Sequence, residues 1–474
     1  MKTEAPTQPN STSTDPVPPK PRAYVETYGC QMNVSDGELM EGVLESDGYE
    51  IVGDAESADV ILVNTCAIRE HAERRVLGRV SQLSGLKQDR PDLVIGVTGC
   101  MAQRMGDDLL ERAPYVDLVM GPDGYRGLSE AVSKVRPERV GSSKKGGRKK
   151  AHRARLSVLG LSMDENYQGL EQRRRSSVVA WIPIQRGCDH RCTFCIVPYV
   201  RGSEKNRDPH EVMAEVRGLA EEGVSEVTLL GQTVNSYAFR DWSFARLLKE
   251  ISRVDGIRRV RFTSPHPNDV NEELVETIAT EEAVCEHFHL PVQSGSNRTL
   301  KRMLRRYTRE SFLQKVDLLR SAVPDLALST DVIVAFPDET EAEFEETLEL
   351  MREVRFDEAF TYRYSPRAGT PAVRLPEDQF ISDEEGQARL EELIVLTRAI
   401  QGEINEQELG RTEELLLERE SKSQGMMLGR TRRNKAVVVP GSADEAGDYV
   451  MTSLVSTTGP TFVASRVHSK NGVG

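Results

Sequence analysis

Along the first third of the chain the apolar residues gather in short runs: AYVETYGC, ADVILVNTC and LVIGVTGC, each closing on a cysteine (Cys30, Cys66, Cys100). Runs of this length, bounded by polar and Gly-containing segments, predict strands buried in a sheet. Between them apolar positions recur at helical spacing near Glu38–Ser46 and Glu70–Leu83. Alternating strands and helices imply a parallel, doubly wound sheet, in which the carboxyl ends of the strands line the binding crevice. A single cysteine after a strand is ordinary core filling. Three at the same topological place are expected to converge, although more than thirty residues separate them in sequence.

From Ala180 to Ser365 one theme repeats. The strand candidates AWIPIQRG, EVTLLGQ, RVRFTS, EHFHLPV, LSTDVIVAF and EAFTYRYS alternate with amphipathic helices near 210–222, 244–254, 271–280, 309–322 and 341–353. Six such units predict an α/β barrel short of the eight that close a full one, with a lateral mouth suited to a macromolecule. A long charged helix, Asp383–Gln407, leads away from it. The remaining residues form short β-like runs between Gly, Ser and Asp turns, as in a small all-β module. The fold class read from this pattern is α/β. It comprises an N-terminal flavodoxin-like parallel sheet (22–138), a basic linker or insert (139–177), an open (βα)6 barrel with its trailing helix (178–407) and a small C-terminal β-barrel (408–470). Residues 1–21, rich in Pro, Ser and Thr, read as a disordered tail without the apolar core of a secretory signal.

Composition changes this picture in two ways. At 474 residues, 38% hydrophobic and 29% charged, the chain has material for several cores, and no apolar run approaches the ~18 residues of a membrane span. The expected setting is the cytoplasm. The net charge of −13 argues against a nucleic-acid partner unless cations cluster locally. Candidate clusters are the 139–155 run with its eight Lys or Arg, Arg173–Arg175, Arg201/Lys205/Arg207, Lys301–Arg309, and the loop GRTRRNK with Arg430, Arg432, Arg433 and Lys435.

The chemistry lies in RGCDHRCTFCIVPYVRG, which follows the first barrel strand. Cys188, Cys192 and Cys195 are an odd number for disulfides and one short of a closed zinc or iron–sulfur site. Three corners of a cubane wrapped by one loop leave the fourth iron open. Such an iron can hold the amino and carboxylate groups of S-adenosylmethionine and pass an electron to its sulfonium. A zinc site would want a fourth ligand nearby, and His190, between two of the cysteines, is too local to serve easily.

This spacing resembles the radical S-adenosylmethionine superfamily. Together with YGCQMN, NTC, TGC, LLGQTVNSY, HLPVQSGS and YSPRAGTPA it resembles the methylthiotransferases within it, and the last sixty or so residues resemble a TRAM RNA-binding domain. The resemblance runs from Ala23 to Val467, and YGCQMN and CIVPYVRG resemble the transfer-RNA branch. It implies two [4Fe–4S] clusters, a radical cluster on Cys188, Cys192 and Cys195 and an auxiliary one on Cys30, Cys66 and Cys100. It implies S-adenosylmethionine as methyl donor and radical source. The implied reaction replaces the C2 hydrogen of N6-(dimethylallyl)adenosine, next to the anticodon at position 37, with a methylthio group. The implied partners are a transfer-RNA anticodon stem-loop and an electron donor such as flavodoxin or ferredoxin, with the chain as a monomer.

Gln232, Ser264, Gln293 and Asp331, at expected strand ends, are candidates to hydrogen-bond the cofactor. Ala335 and Asp338 stand where the family has glycines. Cys285 matches no ligand position and reads as core. Two rivals stay open: the same chemistry on a threonylcarbamoylated adenosine or a ribosomal protein, and a non-catalytic RNA-binding scaffold whose thiols hold zinc.

Overall fold

The structure, a computed structural model, describes residues 19–67, 70–136 and 154–467. Most of the expected N-terminal tail and most of the basic run therefore lie outside the described residues.

The first unit is a six-stranded sheet, parallel throughout. Its strands are β1 (Arg22–Tyr28), β2 (Glu50–Ile51), β3 (Val60–Thr65), β4 (Val94–Gly99), β5 (Leu118–Met120) and β6 (Leu156–Val158), in the order β2-β1-β3-β4-β5-β6. The first five reproduce the doubly wound 2-1-3-4-5 order. Strands β3 and β4 are buried along their whole length, because helices cover both faces. On one face Val60, Leu62 and Val94 pack beneath α1 (Gln31–Ser46) and the helix Leu128–Val135. On the other, Ile61, Val63, Ile95 and Val97 pack beneath α2 (Glu70–Ser84) and α3 (Cys100–Met105).

The expectation of a linker over 139–177 needs correction from residue 154 onward. Leu156–Val158 adds β6 to the sheet. Arg155 donates to the carbonyls of Val116 at 3.0 Å and Ala113 at 3.3 Å. Tyr167 stacks on Tyr125 at 5.9 Å, with its hydroxyl on the Pro122 carbonyl at 2.8 Å. Strand pairing by β6, the Arg155 hydrogen bonds and buried Tyr167 tie down a segment that composition alone reads as open, although Leu159, Leu161 and Met163 stay exposed.

The second unit has the six expected strands, β7 (Val179–Pro183), β8 (Glu226–Leu230), β9 (Arg259–Phe262), β10 (His287–His289), β11 (Ala327–Val334) and β12 (Glu358–Arg363). They form two parallel three-stranded sheets, β9-β8-β7 and β10-β11-β12, linked by a bridge between Val260 and Val284. No pairing joins the outer strands β7 and β12, so the barrel is open. Its largest core cluster runs from Ala180 to Ile400 and takes Leu393 and Ile400 from the trailing helix Asp383–Gln407. The C-terminal unit is a closed five-stranded barrel of β13 (Thr412–Glu420), β14 (Met426–Thr431), β15 (Ala436–Pro440), β16 (Tyr449–Thr457) and β17 (Thr461–Arg466).

Candidate functional site

Cys30, Cys66 and Cys100 follow β1, β3 and β4, neighbouring strands of the sheet, so the expected convergence occurs. Two glycines make room for it. Gly29 has φ +143°, and a Cβ there would lie 2.7 Å from the Cys66 Cβ. Gly99 has φ +92°, and a Cβ would meet the Asn64 Oδ1 and the Thr65 carbonyl at 2.5 Å. Both conformations exclude ordinary side chains, which is why Cys30 and Cys100 each follow a glycine. A buried asparagine pair fastens the loops: Asn64 Nδ2 donates to the Asn33 carbonyl at 2.7 Å. A hydrogen bond from the Cys66 thiol, against the opposing effect of burial, draws the Cys30 thiol down to about 6. Burial pushes the Cys100 thiol up, opposed by Arg201.

Cys188, Cys192 and Cys195 occupy the loop beyond β7. The Cys188 N–H donates to the Gly202 carbonyl and the Cys195 N–H to the Cys192 carbonyl, each at 3.1 Å. Thr193 ties the loop to residues 302–303 through its N–H and its hydroxyl. Burial first, then the neighbouring thiols, pushes Cys188 up to about 11 and Cys195 up to about 12. Ligation to a metal would deprotonate such thiols, and the binding energy would offset their desolvation.

The two triads are neighbours. Ile196 follows Cys195 directly and packs with Cys100 and Ala67. The short helix α4 (Val197–Arg201) then ends on Arg201, whose Nε lies 3.1 Å from the Cys100 Sγ and whose Nη2 bonds Asp36 at 2.6 Å. The second triad has its own arginine: Arg305 Nη1 lies 3.3 Å from the Cys192 Sγ. Arg201 and Arg305 were expected among RNA-facing cations. The structure turns both inward, with only 2% and 5% of their surface exposed. Charge and spacing along a chain do not report which way a side chain points, and Asp36 carries no sequence signal at all.

The donor set fits iron–sulfur clusters better than zinc. Among the described residues, only His190, His266 and Asp269 bring three ligand atoms within 4.8 Å of one another. Neither thiol triad closes that far, as ligands at ~2.3 Å around a single zinc would. His190 instead stacks on His266 at 3.8 Å, and its Nε2 bonds Asp269 at 3.4 Å. Two buried polar atoms without partners lie beside the triads, Arg201 Nη1 on the arginine against Cys100 and His266 Nε2 on the ring stacked on His190, and Gln232 Oε1 beyond β8 is a third.

The four cofactor candidates come together in two pairs. Gln232 follows β8 and Ser264 follows β9, and the Ser264 carbonyl accepts from the Val234 N–H at 3.3 Å. Gln293 follows β10, and its N–H bonds the Asp331 carbonyl at 2.9 Å. Asp331 lies inside β11 rather than at its end, with its carboxylate 3.3 Å from the His289 Nε2. Ser264, Gln293 and Ala335 all hold left-handed backbone, with φ of +58°, +70° and +57°. Non-glycine residues in this region cost roughly 1–3 kcal/mol each and cluster at functional sites. Cys285 is 2% exposed and contacts neither triad, as expected of core.

The GRTRRNK loop does not fit the expectation of an RNA grip. Arg432 bonds Glu286 at 2.8 Å and the barrel carbonyls of Glu282 and Val284. Arg433 pairs with Glu408 and Glu413, and Lys435 with Asp357 at 2.8 Å. Arg430, the most open of the four, lies 3.5 Å from Glu418. Arg432 and Lys435 dock the small barrel onto the large one and Arg433 ties it to Glu408 beyond the trailing helix, while Arg430 pairs within the small barrel. Arg174, Arg175, Lys205 and Arg207 are likewise consumed, by Glu38, Glu41, Asp123 and Glu215. By contrast Arg191, Lys301 and Arg306 are exposed.

Comparison with known proteins agrees with this architecture. Residues 22–121 match Uncharacterized protein family UPF0004, 182–351 the Radical SAM superfamily and 406–451 the TRAM domain. A tRNA-2-methylthio-N(6)-dimethylallyladenosine synthase from Chloroherpeton thalassium is 42% identical over 94% of this chain and 96% of its own. One of the same name from Carboxydothermus hydrogenoformans is 43% identical over 93% and 97%. Among solved structures, the radical S-adenosylmethionine methyltransferase TsrM from Kitasatospora setae superposes with a TM-score of 0.52, at 15% identity over 74% of each chain, a likeness of fold alone.

Proposed function

The chain belongs to the tRNA-2-methylthio-N6-dimethylallyladenosine synthase family, and from that premise we propose how its residues divide the work on a transfer-RNA adenosine. The enzyme is a radical S-adenosylmethionine methylthiotransferase that places a methylthio group on C2 of N6-(dimethylallyl)adenosine. Its cofactors, two [4Fe–4S] clusters and S-adenosylmethionine, supply when bound the reductive, hydrogen-abstracting and sulfur- and methyl-donating chemistry. Cys188, Cys192 and Cys195 hold the radical cluster, and Cys30, Cys66 and Cys100 the auxiliary one. The observation that carries this reading is the short path from Cys195 through Ile196 and α4 to Cys100. It keeps the two sites within reach of one nucleobase, and proximity is what a two-stage substitution at one carbon requires.

Gln232, with its unpartnered carbonyl oxygen, and the strained turns at Ser264 and Gln293 line the side of the radical triad where S-adenosylmethionine would bind. The RNA is an anticodon stem-loop whose adenosine is splayed out to reach the triads. Arg191, Lys301 and Arg306 meet its phosphates. The electron comes from a flavodoxin- or ferredoxin-like donor, and the enzyme works as a monomer in the cytoplasm. Seven cysteines with no disulfide among the described residues suit a reducing compartment.

The test is anaerobic incubation of cluster-loaded protein with S-adenosylmethionine, a reductant and isopentenylated anticodon-loop RNA. The expected products are 5′-deoxyadenosine and RNA heavier by one methylthio group less a hydrogen. Cys192→Ala abolishes both; Cys66→Ala loses sulfur transfer but retains some cofactor cleavage. Neither product from fully loaded wild-type protein would overturn the reading. Product with threonylcarbamoylated RNA in place of the isopentenylated substrate would redirect it.

A further inference from the structure

Each triad has one buried arginine against one of its sulfurs, but the two charges are compensated differently. Arg201 is countered by the Asp36 carboxylate at 2.6 Å, and that carboxylate is 98% buried with it. Arg305 has no such partner. Its Nε accepts no countercharge but donates to the Tyr307 hydroxyl at 2.9 Å, its Nη2 donates to the Pro291 carbonyl at 3.2 Å, and its Nη1 reaches Cys192. Among the described residues no carboxylate forms an ion pair with it. The ring of His266 nearby is held neutral by burial and by Arg305 itself, so it adds no charge. The carboxylates on that side, Glu204 towards Cys188 and Asp269 on His190, make no ion pair with Arg305, so the guanidinium at Cys192 is not neutralised by direct contact as the one at Cys100 is.

Adding an electron to an iron–sulfur cluster makes its sulfurs more negative, so a cation or N–H donor at a ligand sulfur raises the reduction potential. In a buried site that interaction is weakly screened. We propose that Arg305 and the Arg201–Asp36 pair are positioning residues that set the two potentials apart. A single electron from a one-electron donor then settles on the cluster of Cys188, Cys192 and Cys195, taking it from the 2+ to the 1+ state, rather than on the auxiliary cluster. The device rests on the two-cluster reading above. It gives that reading a direction of electron flow: the reducing equivalent is kept where S-adenosylmethionine is to be cleaved.

The experiment is an anaerobic redox titration of the full-length protein carrying both clusters, followed by electron paramagnetic resonance. The component of the spectrum that responds to added S-adenosylmethionine marks the radical cluster. In the wild type that component is expected to appear at the higher potential. Arg305→Gln, which keeps the packing and loses the charge, is expected to shift its one-electron equilibrium at least tenfold towards the oxidised state, or 59 mV. Arg305→Lys, which keeps the charge, is expected to stay within threefold of wild type. Asp36→Asn removes the countercharge beside Arg201 and is expected to raise the other component while leaving the first in place. A reversed order in the wild type, an unmoved Arg305→Gln midpoint, or equal shifts in Arg305→Gln and Arg305→Lys would overturn the proposal. Should Arg305→Gln fail to load iron, the wild-type order and Asp36→Asn decide. Iron content short of two full clusters in wild type would count against the two-cluster reading itself. Two full clusters with unmoved midpoints would count against this inference alone.

Discussion

At the residue scale, the chain keeps conformations that its composition disguises. Ala335 and Asp338, where the resemblance implies glycines, both adopt left-handed backbone, with φ of +57° and +63°. The loop shape therefore survives without glycine. Asp338 tolerates it as the short polar side chains of Asp and Asn do, and its carbonyl is held by Arg298 at 3.0 Å and Arg302 at 2.8 Å. His266 shows a second kind of constraint. Burial above all, then Arg305 and His190, pushes its imidazole down to about 2 from the ordinary 6.5. Below about 6.5 the unfolded chain takes up a proton that the folded ring refuses. Stability is whole above that pH and falls as the pH drops towards 2. In urea titrations of cluster-free protein between pH 6 and 4, His266→Gln is expected to flatten this loss by up to ~1.4 kcal/mol per pH unit. An unchanged slope would mean the ring is reached by water.

At the scale of elements, helix starts and strand ends were largely legible. Asn271, Thr308 and Thr340 cap their helices as their side chains suggest, the last two as capping boxes. The joints between elements were not. Arg432 anchors β14 to the barrel through Glu286, and Arg259, fully buried, donates to the Glu414 and Arg430 carbonyls at 2.8 Å. Arg432→Ala is expected to lower the melting temperature of the small barrel's attachment, costing roughly 1–3 kcal/mol for the stranded hydrogen bonds. In a double-mutant cycle with Glu286→Ala the two losses should be clearly less than additive. Additive losses would show that the pair does not hold the joint.

At the scale of the whole molecule, an acidic protein whose clustered arginines among the described residues are largely paired with carboxylates meets RNA through the cations left exposed. Replacing Lys301, Arg306 or Arg191 by Ala is expected to weaken RNA binding and reduce the slope of log affinity against log salt by about one per lost phosphate contact. Arg432→Ala should leave that slope alone. Equal effects from both sets would return the RNA surface to the small barrel. What the sequence by itself determined is the order of the three folding units and the placing of three cysteines at neighbouring strand ends and three in one loop. Strand–cysteine endings and a C-x3-C-x2-C spacing are local in the chain, and local pattern survives folding. What only the tertiary structure decided is the direction each charge faces. Arg201 and Arg305 look like surface cations in a basic run, yet they lie against sulfur because strands distant in sequence close around them. Burial depends on the sum of all neighbours, and no stretch of sequence contains that sum.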